Sequence, residues 1–345
     1  MGKKRLYHLD VLRCICMIII VYYHLTGCVN NWTTLPIKFP FQFPNGISFG
    51  GVAVSTFFMI SGASLFYVNN KSPFHTIEFY KKRIIRILPL FWLTWSLFYF
   101  YNFYFRSFHL DNSIPLWRLI FTFLGVDQYV SAVTGLQTFS LISEWFLGCI
   151  IIIYALFPLL RKLFLTYPRA LFLILFVSYV GLELMGKDAV TIDFNVGIRI
   201  FEFTVGMYLA KYAHHIKKIY TVSLLVLFLL LTMFGFDKIS VHMLTTFMAL
   251  TLYLLCFHIF GNLSNEKIKN VLIQMSNYSY AVFLNHHVIM TFVFLDFNSR
   301  RDNLISSFRE ATVLILIVVI LIVFCSYYLV KLERTIVGFC MKKRV

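Results

Sequence analysis

Charged side chains are scarce in this sequence, and their scarcity excludes a water-soluble globular protein. Only 13% of the 345 residues are Asp, Glu, Lys or Arg, whereas 59% are hydrophobic. A soluble domain carries about 25% charged residues, so this chain has roughly half of the charge that a water-facing surface requires. The mean hydropathy is correspondingly high, at +0.78. We therefore predict a polytopic membrane protein.

The sequence also lacks the cysteine patterns of a metal site or a disulfide framework. None of the seven cysteines forms a CxxC pair or a Cys/His ligand pattern, and most of them lie in apolar runs. We therefore predict no metal cofactor and no set of disulfides.

Long apolar stretches occupy most of the chain and define the predicted fold. Stretches long enough to cross a bilayer occur at residues 9–28, 48–68, 86–105, 145–163, 169–186, 194–213, 219–236, 240–260, 278–297 and 311–332. Little sequence is left for a separate soluble domain. The prediction is all-α: one transmembrane domain over residues 1–345, with a bundle of about ten helices in the lipid bilayer.

Acidic residues are outnumbered, with 15 Asp and Glu against 31 Lys and Arg and a net charge of +16. In a soluble protein this excess would suggest a polyanion as partner. In short connections of a membrane protein, however, Lys and Arg mark the cytoplasmic side. A cytoplasmic N-terminus places 21 of them in or beside inside connections and eight outside, and the two left over, Arg13 and Arg199, lie within spans. We therefore predict that both termini are cytoplasmic and that no nucleic acid binds.

Ionisable residues within a span are costly and therefore mark candidate functional sites. The first span carries Asp10, Arg13 and His24. Arg13 and His24 are 11 residues apart, which on a helix places them within about 20° of one face and about 16 Å apart along the axis. A neutral imidazole there can accept a proton from a hydroxyl, as a general base does. The structural alternatives are a histidine bonded to a carbonyl and an Asp10–Arg13 ion pair.

Other spans carry weaker candidates, each with a structural alternative. Arg83 and Arg86 share a helical face at the predicted cytoplasmic surface, where guanidinium groups bind phosphates or anchor the helix. Arg199 and Glu202 are spaced to pair within the bundle. Residues 279–287 place a hydroxyl, an amide and two imidazoles in one span, which indicates a polar cavity or interhelical hydrogen bonds.

In chain order, these segments resemble the membrane acyltransferase 3 family. The family's LDxLR with a following histidine is matched by residues 9–13 and His24, and its FFxxSG by residues 57–62. Its RxxR with a following LP, its RxxEFxxG and its SYxx[YF]LxH are matched by residues 83–89, 199–206 and 279–286. Ile150 departs from the family's acidic position after Trp145, and the neighbouring Glu144 is a candidate substitute.

The resemblance implies an O-acyltransferase that takes its acyl group, most commonly acetyl, from cytoplasmic acyl-CoA. The implied acceptor is a hydroxyl of a surface polysaccharide or a lipid-linked saccharide, and the implied location is a bacterial cytoplasmic membrane. The chain looks like the stand-alone form, without the hydrolase-like domain of some relatives. The oligomeric state stays open.

The site residues that we predict are, for catalysis, His24, Arg13 and Asp10; for the donor, Arg83, Arg86 and Ser61; and for a cavity, Glu144, Trp145, Arg199, Glu202 and His286.

Two alternatives stay open. The acceptor hydroxyl could attack the thioester directly with His24 as base, or an acyl-histidine could form first. A different class of function is export of saccharides or acyl groups, because buried His and Arg residues also occur in proton-coupled carriers.

Overall fold

The computed structural model describes residues 5–36, 38–43, 45–71, 73–105, 113–142, 145–185, 193–234, 240–299 and 304–342. Within these ranges the chain forms helices and no β-strand. The α-helices are α1 (Tyr7–Trp32), α2 (Phe49–Asn69), α3 (Thr76–Phe105), α4 (Leu119–Phe123), α5 (Asp127–Thr134), α6 (Trp145–Thr166), α7 (Pro168–Met185), α8 (Val196–Tyr212), α9 (Lys218–Phe234), α10 (Val241–Phe260), α11 (Glu266–Ser299) and α12 (Phe308–Lys342).

Each of the ten predicted apolar stretches overlaps one of these helices. Eight helices in the described part of the chain are long and apolar enough to cross a membrane. The helices α8 and α9 are shorter, at 17 residues each. The multi-pass, all-helical architecture is therefore confirmed, whereas the count of ten spans and the side of each terminus stay predictions.

Polar side chains define where several helices begin. Ser48, Asn195 and Ser240 precede α2, α8 and α10, and each side-chain oxygen accepts a hydrogen bond from a backbone N–H in the first turn. These N-caps satisfy donors that a helix start leaves without an intrahelical partner. The helix α3 begins at Thr76, ten residues before the predicted apolar stretch, and its first turns carry a Glu78–Lys82 ion pair.

Contacts group the chain into two compact units. The first unit comprises Met1–Ile20, Phe41–Phe74 and Ile152–Asn277. The second comprises Val21–Pro40, His75–Ile151 and Tyr278–Val345. The helix α1 contributes its first part to the first unit and its remainder to the second.

In the first unit, α2 packs against α8 through one glycine on each helix. A Cβ atom added to Gly62 would overlap the carbonyl oxygen of Phe203, and one added to Gly206 would overlap that of Met59. Small residues allow two helix backbones to approach closely in a membrane. The FFxxSG and RxxEFxxG segments therefore meet each other, and their glycines serve helix packing.

We expect Gly62→Ala and Gly206→Ala to destabilise the first unit. The added methyl group meets backbone atoms, which cannot rotate away as a side chain can. The free energy of unfolding should therefore fall by at least the amount that overpacking a core costs, about 1–3 kcal/mol. The measurement is thermal unfolding of the purified protein in detergent. Gly181→Ala is the matched control, because a Cβ there meets no atom within 4 Å. Equal stability of all three variants would contradict the close packing.

In the second unit, short helices follow α3 and carry exposed aromatic side chains. The indole N–H of Trp92 donates to the carbonyl of Phe123 at 2.9 Å, and that of Trp95 to the carbonyl of Phe139 at 3.2 Å. These bonds hold the described part of the 106–144 connection against α3. Trp117 is 63% exposed. The sequence of this connection, which is rich in Phe, Leu and Trp, predicts that it lies on or dips into the membrane, and this stays a prediction.

Candidate active site

A buried carboxylate, that of Asp10, is the centre of a polar cluster in the first unit. It accepts hydrogen bonds from Nε and Nη2 of Arg5 at 2.7 and 3.0 Å, from Nη1 of Arg13 at 3.0 Å and from the hydroxyl of Ser276 at 2.9 Å. The bond to Asp10 raises the pKa of the Arg5 guanidinium. We call these residues, together with Ser64, the Asp10 cluster.

The geometry of the Asp10 cluster indicates what each member can do. The Asp10 side chain is 2% exposed and is surrounded by donors, so it is suited to hold the two arginines in place. Arg13 also donates to the hydroxyl of Ser64 at 2.5 Å. Ser64 lies three residues after Ser61, the hydroxyl that the sequence suggested. The side chains of Arg5 and Arg13 are 42% and 26% exposed, and guanidinium groups are the side chains best suited to bind anions with paired hydrogen bonds.

Three imidazoles lie together in the second unit. The ring centroid of His24 is 5.1 Å from that of His286 and 4.9 Å from that of His287. His24 is half-buried and His286 is fully buried. We call this group the histidine cluster. The sequence predicted His24 and His286 as separate candidates, and the structure brings them together with His287.

The histidine cluster is suited to proton transfer. Within the described ranges, no group of three or more His, Cys, Asp and Glu side chains is arranged to hold a metal ion. A neutral imidazole in contact with further imidazoles can accept a proton at one nitrogen while its other nitrogen donates. This arrangement is what a general base requires.

The predicted pair of Arg199 and Glu202 is present and completely buried in the first unit. Arg199 Nη1 lies 2.8 Å from a carboxylate oxygen of Glu202 and 3.0 Å from the hydroxyl of Ser55, while Nη2 lies 3.0 Å from Asp193. Thr246 donates to Glu202 at 2.7 Å. A buried ion pair is tolerated only when such hydrogen bonds satisfy both partners.

Sequence reasoning missed the continuation of this network. Glu183 lies 2.6 Å from Nδ1 of His242 and accepts from Ser240 at 2.6 Å. Tyr179 donates to Thr246 at 3.0 Å. Glu183 and His242 are ionisable residues within apolar stretches, which is the signal that could have identified them.

The remaining predicted site residues belong to neither cluster. On α3, Arg86 is exposed, and the guanidinium of the half-buried Arg83 lies 5.8 Å from the ring centroid of Phe79. Trp145 is the first residue of α6. Glu144 lies outside the described residues.

Arg161 has a packing role in the first unit. Its side chain donates to the carbonyl oxygen of Asn69, the last residue of α2, at 2.5 Å, and to that of Lys71, two residues further along the chain, at 3.1 Å. The Arg161 guanidinium also lies 4.5 Å from the ring centroid of Phe74. Arg161 therefore binds the carbonyl group of Asn69, in the last turn of α2, where carbonyl groups have no intrahelical partner.

Comparison with known protein families agrees with the family resemblance that the sequence motifs indicate. A family model described as an acyltransferase domain matches residues 6–331, nearly the whole chain. No curated protein and no solved structure matched the chain. The matched range includes the histidine cluster, the Arg199–Glu202 pair and every member of the Asp10 cluster except Arg5. The chain belongs to the membrane acyltransferase 3 family.

Proposed function

We propose that this protein transfers an acetyl group from cytoplasmic acetyl-CoA to a hydroxyl of a surface polysaccharide or lipid-linked saccharide, with His24 as general base. Membership of an acyltransferase family supports acyl transfer. The observation that carries the choice of His24 is its packing against two further imidazoles in the second unit. The proposed location is a bacterial cytoplasmic membrane.

The proposed reaction needs one proton to move in and out of His24. The imidazole accepts the proton of the acceptor hydroxyl while that oxygen attacks the carbonyl carbon of the thioester. The new C–O bond forms, the C–S bond breaks, and the imidazolium returns its proton to the departing CoA thiolate. The products are the acetyl ester and CoA, and His24 is neutral again. In the alternative route, His24 itself carries the acetyl group between donor and acceptor.

The donor's phosphates require positive charge, and two sets of arginines supply it. Arg5 and Arg13 in the Asp10 cluster are held by Asp10 and are partly exposed. Arg83 and Arg86 lie one turn apart on α3. Guanidinium groups bind phosphate with paired hydrogen bonds, so we propose each set, taken by itself, as a candidate donor contact, with Asp10 as a positioning residue in the first.

Arg13→Gln should weaken binding of CoA by about 10–100-fold, since a charge-assisted hydrogen bond contributes roughly 1.5–3 kcal/mol. The measurement is a titration of the purified protein with CoA, repeated with dephospho-CoA and with pantetheine. Arg83→Gln and Arg86→Gln are measured in parallel, and exposed Arg309→Gln is the control. Unchanged affinity in the Arg13 variant would remove Arg13 from donor binding. Unchanged affinity in the α3 variants would leave Arg83 and Arg86 as anchors.

Export is a second candidate function. The buried network of Arg199, Glu202, Glu183 and His242 favours it, because proton-coupled carriers use ionisable side chains buried within the membrane. Incubating the detergent-purified protein with labelled acetyl-CoA and candidate saccharides separates the two functions. A transferase forms labelled ester without a membrane. An exporter without transferase chemistry forms none, but moves substrate in sealed vesicles.

A further inference from the structure

We propose that the first unit binds the headgroup of an anionic phospholipid between the start of α7 and the end of α8. Neither acyl transfer nor export requires such a site, so it is independent of the proposed function. Three features support it, all within the first unit: a groove, the charge beside that groove and the exposed face of α7.

A groove lies between the first turns of α7 and the last turns of α8. Its volume is about 1020 Å³, which is at the upper end of the range of ligand pockets, about 300–1,000 Å³. Its lining includes Tyr167, Arg169, Phe172, Leu173, Tyr208 and Tyr212. The groove therefore combines a guanidinium group and phenol hydroxyls with apolar side chains, as an amphipathic ligand requires. Tyrosines of this kind are typical of the headgroup level of a membrane.

The two walls of the groove are joined by direct contacts. The hydroxyl of Tyr208 in α8 donates to the carbonyl oxygen of Pro168, the first residue of α7. The ring of Tyr208 packs against that of Phe172 with centroids 5.4 Å apart, and it stacks on that of Tyr212 at 6.2 Å. These contacts hold the groove in one shape, which lowers the cost of binding a ligand there.

The charge beside the groove is positive. Residues 145–182 and 203–236 contain three Lys or Arg residues each and no Asp or Glu. Arg169 lines the groove and is exposed, and the ammonium group of the exposed Lys211 lies 5.1 Å from the ring centroid of Tyr212. A guanidinium group binds phosphate with paired hydrogen bonds, and basic pockets between membrane helices bind anionic headgroups. The groove is therefore complementary to a phosphate.

The exposed face of α7 favours a lipid over a free phosphate or a nucleotide. Of the residues of α7, 17% are buried, against 28–61% in the other seven candidate spans of the described chain. Leu173 and Val177 follow Arg169 at four-residue intervals and so share its helix face, and they are 61% and 60% exposed. A phospholipid with its phosphate at Arg169 can place its acyl chains along this apolar stripe. A free phosphate or a nucleotide has no acyl chain to cover it.

The test measures lipid binding to the detergent-purified protein by native mass spectrometry. Phosphatidylglycerol and phosphatidylcholine with the same acyl chains are the two probes, and we expect tighter binding of phosphatidylglycerol. Arg169→Gln and Lys211→Gln should each weaken its binding by about 5-fold, the effect of one basic residue near an anionic lipid. Neither should change the binding of phosphatidylcholine. Exposed Lys267→Gln on α11 is the matched control and should keep the affinity of the unmodified protein.

A second readout is thermal unfolding in the same detergent. Phosphatidylglycerol should raise the Tm of the unmodified protein and of Lys267→Gln, but much less that of the double variant Arg169→Gln, Lys211→Gln, because a ligand stabilises only the state that binds it. Glycerol phosphate should not displace the lipid, since it lacks the chains that contact Leu173 and Val177.

Four results would overturn the proposed lipid site. They are equal affinity for the two lipids, unchanged affinity for phosphatidylglycerol in both groove variants, an equal loss in Lys267→Gln, and displacement of the lipid by equimolar CoA or glycerol phosphate. The last result would identify a site for a soluble phosphate compound instead. None of the four bears on His24, whose role is tested separately by ester formation.

Discussion

The His24→Ala protein is expected to lose acyl transfer by about 10²–10⁴-fold in kcat, the range that a general base contributes. The alanine side chain cannot accept the acceptor's proton, and the neighbouring His286 uses its Nδ1 hydrogen to bind backbone carbonyls. Binding of CoA should be almost unchanged, because the phosphates are bound elsewhere in the proposal. The measurement is the rate of labelled ester formation at saturating acetyl-CoA.

His258→Ala is the matched control for removing an imidazole from a helix. His258 is half-buried and packs against the ring of Phe257 at 5.3 Å, outside the histidine cluster. Its removal should leave the rate close to that of the unmodified protein. If His24→Ala folds, inserts and transfers acetyl at the normal rate, the proposed mechanism fails.

The Glu202→Ala protein is expected to be strongly destabilised, by about 3–5 kcal/mol, the usual result of breaking a buried ion pair. Arg199 is 1% exposed and would keep only Asp193 as a charged partner among the contacts described above. The hydroxyl of Thr246 would also lose its acceptor. Thermal unfolding of the purified protein in detergent measures the effect.

Replacing both partners tests whether the loss comes from the uncompensated charge. The double variant Arg199→Met, Glu202→Leu removes both charges and keeps much of the side-chain volume. It should be more stable than Glu202→Ala, because apolar residues often replace a buried ion pair at little cost. A double variant no more stable than the single one would show that packing or hydrogen bonding dominates at this position.

Local sequence signals were sufficient to predict the ten longer helices, but not the short helices α4 and α5. Each predicted apolar stretch overlaps one of the longer helices because a bilayer span must satisfy its own backbone hydrogen bonds, and a long apolar run leaves few other structures. The ion pair of Arg199 with Glu202 followed from their spacing on one helix face, as did that of Asp10 with Arg13. The starts of helices were harder to predict. The first turns of α3 contain charged residues, so a search for apolar runs places the start of this helix too late.

Contacts between distant segments could not be predicted from one sequence. Ser276 is 266 residues from Asp10 along the chain, and no local pattern links the two. The same holds for Gly62 and Gly206, whose motifs were recognisable although their mutual packing was not. His287 follows His286 directly and was seen only as a second imidazole, since its contact with His24 depends on how α1 and α11 pack in the second unit.

The most direct test of the proposed site is an electron cryomicroscopy structure of the protein with a non-hydrolysable acetyl-CoA analogue. We predict that the acetyl carbonyl carbon lies beside the His24 imidazole, with space for a hydroxyl oxygen about 3–3.5 Å from that carbon, the distance of a near-attack geometry. Well-defined density for the acetyl group at a site from which His24 is absent would contradict the account.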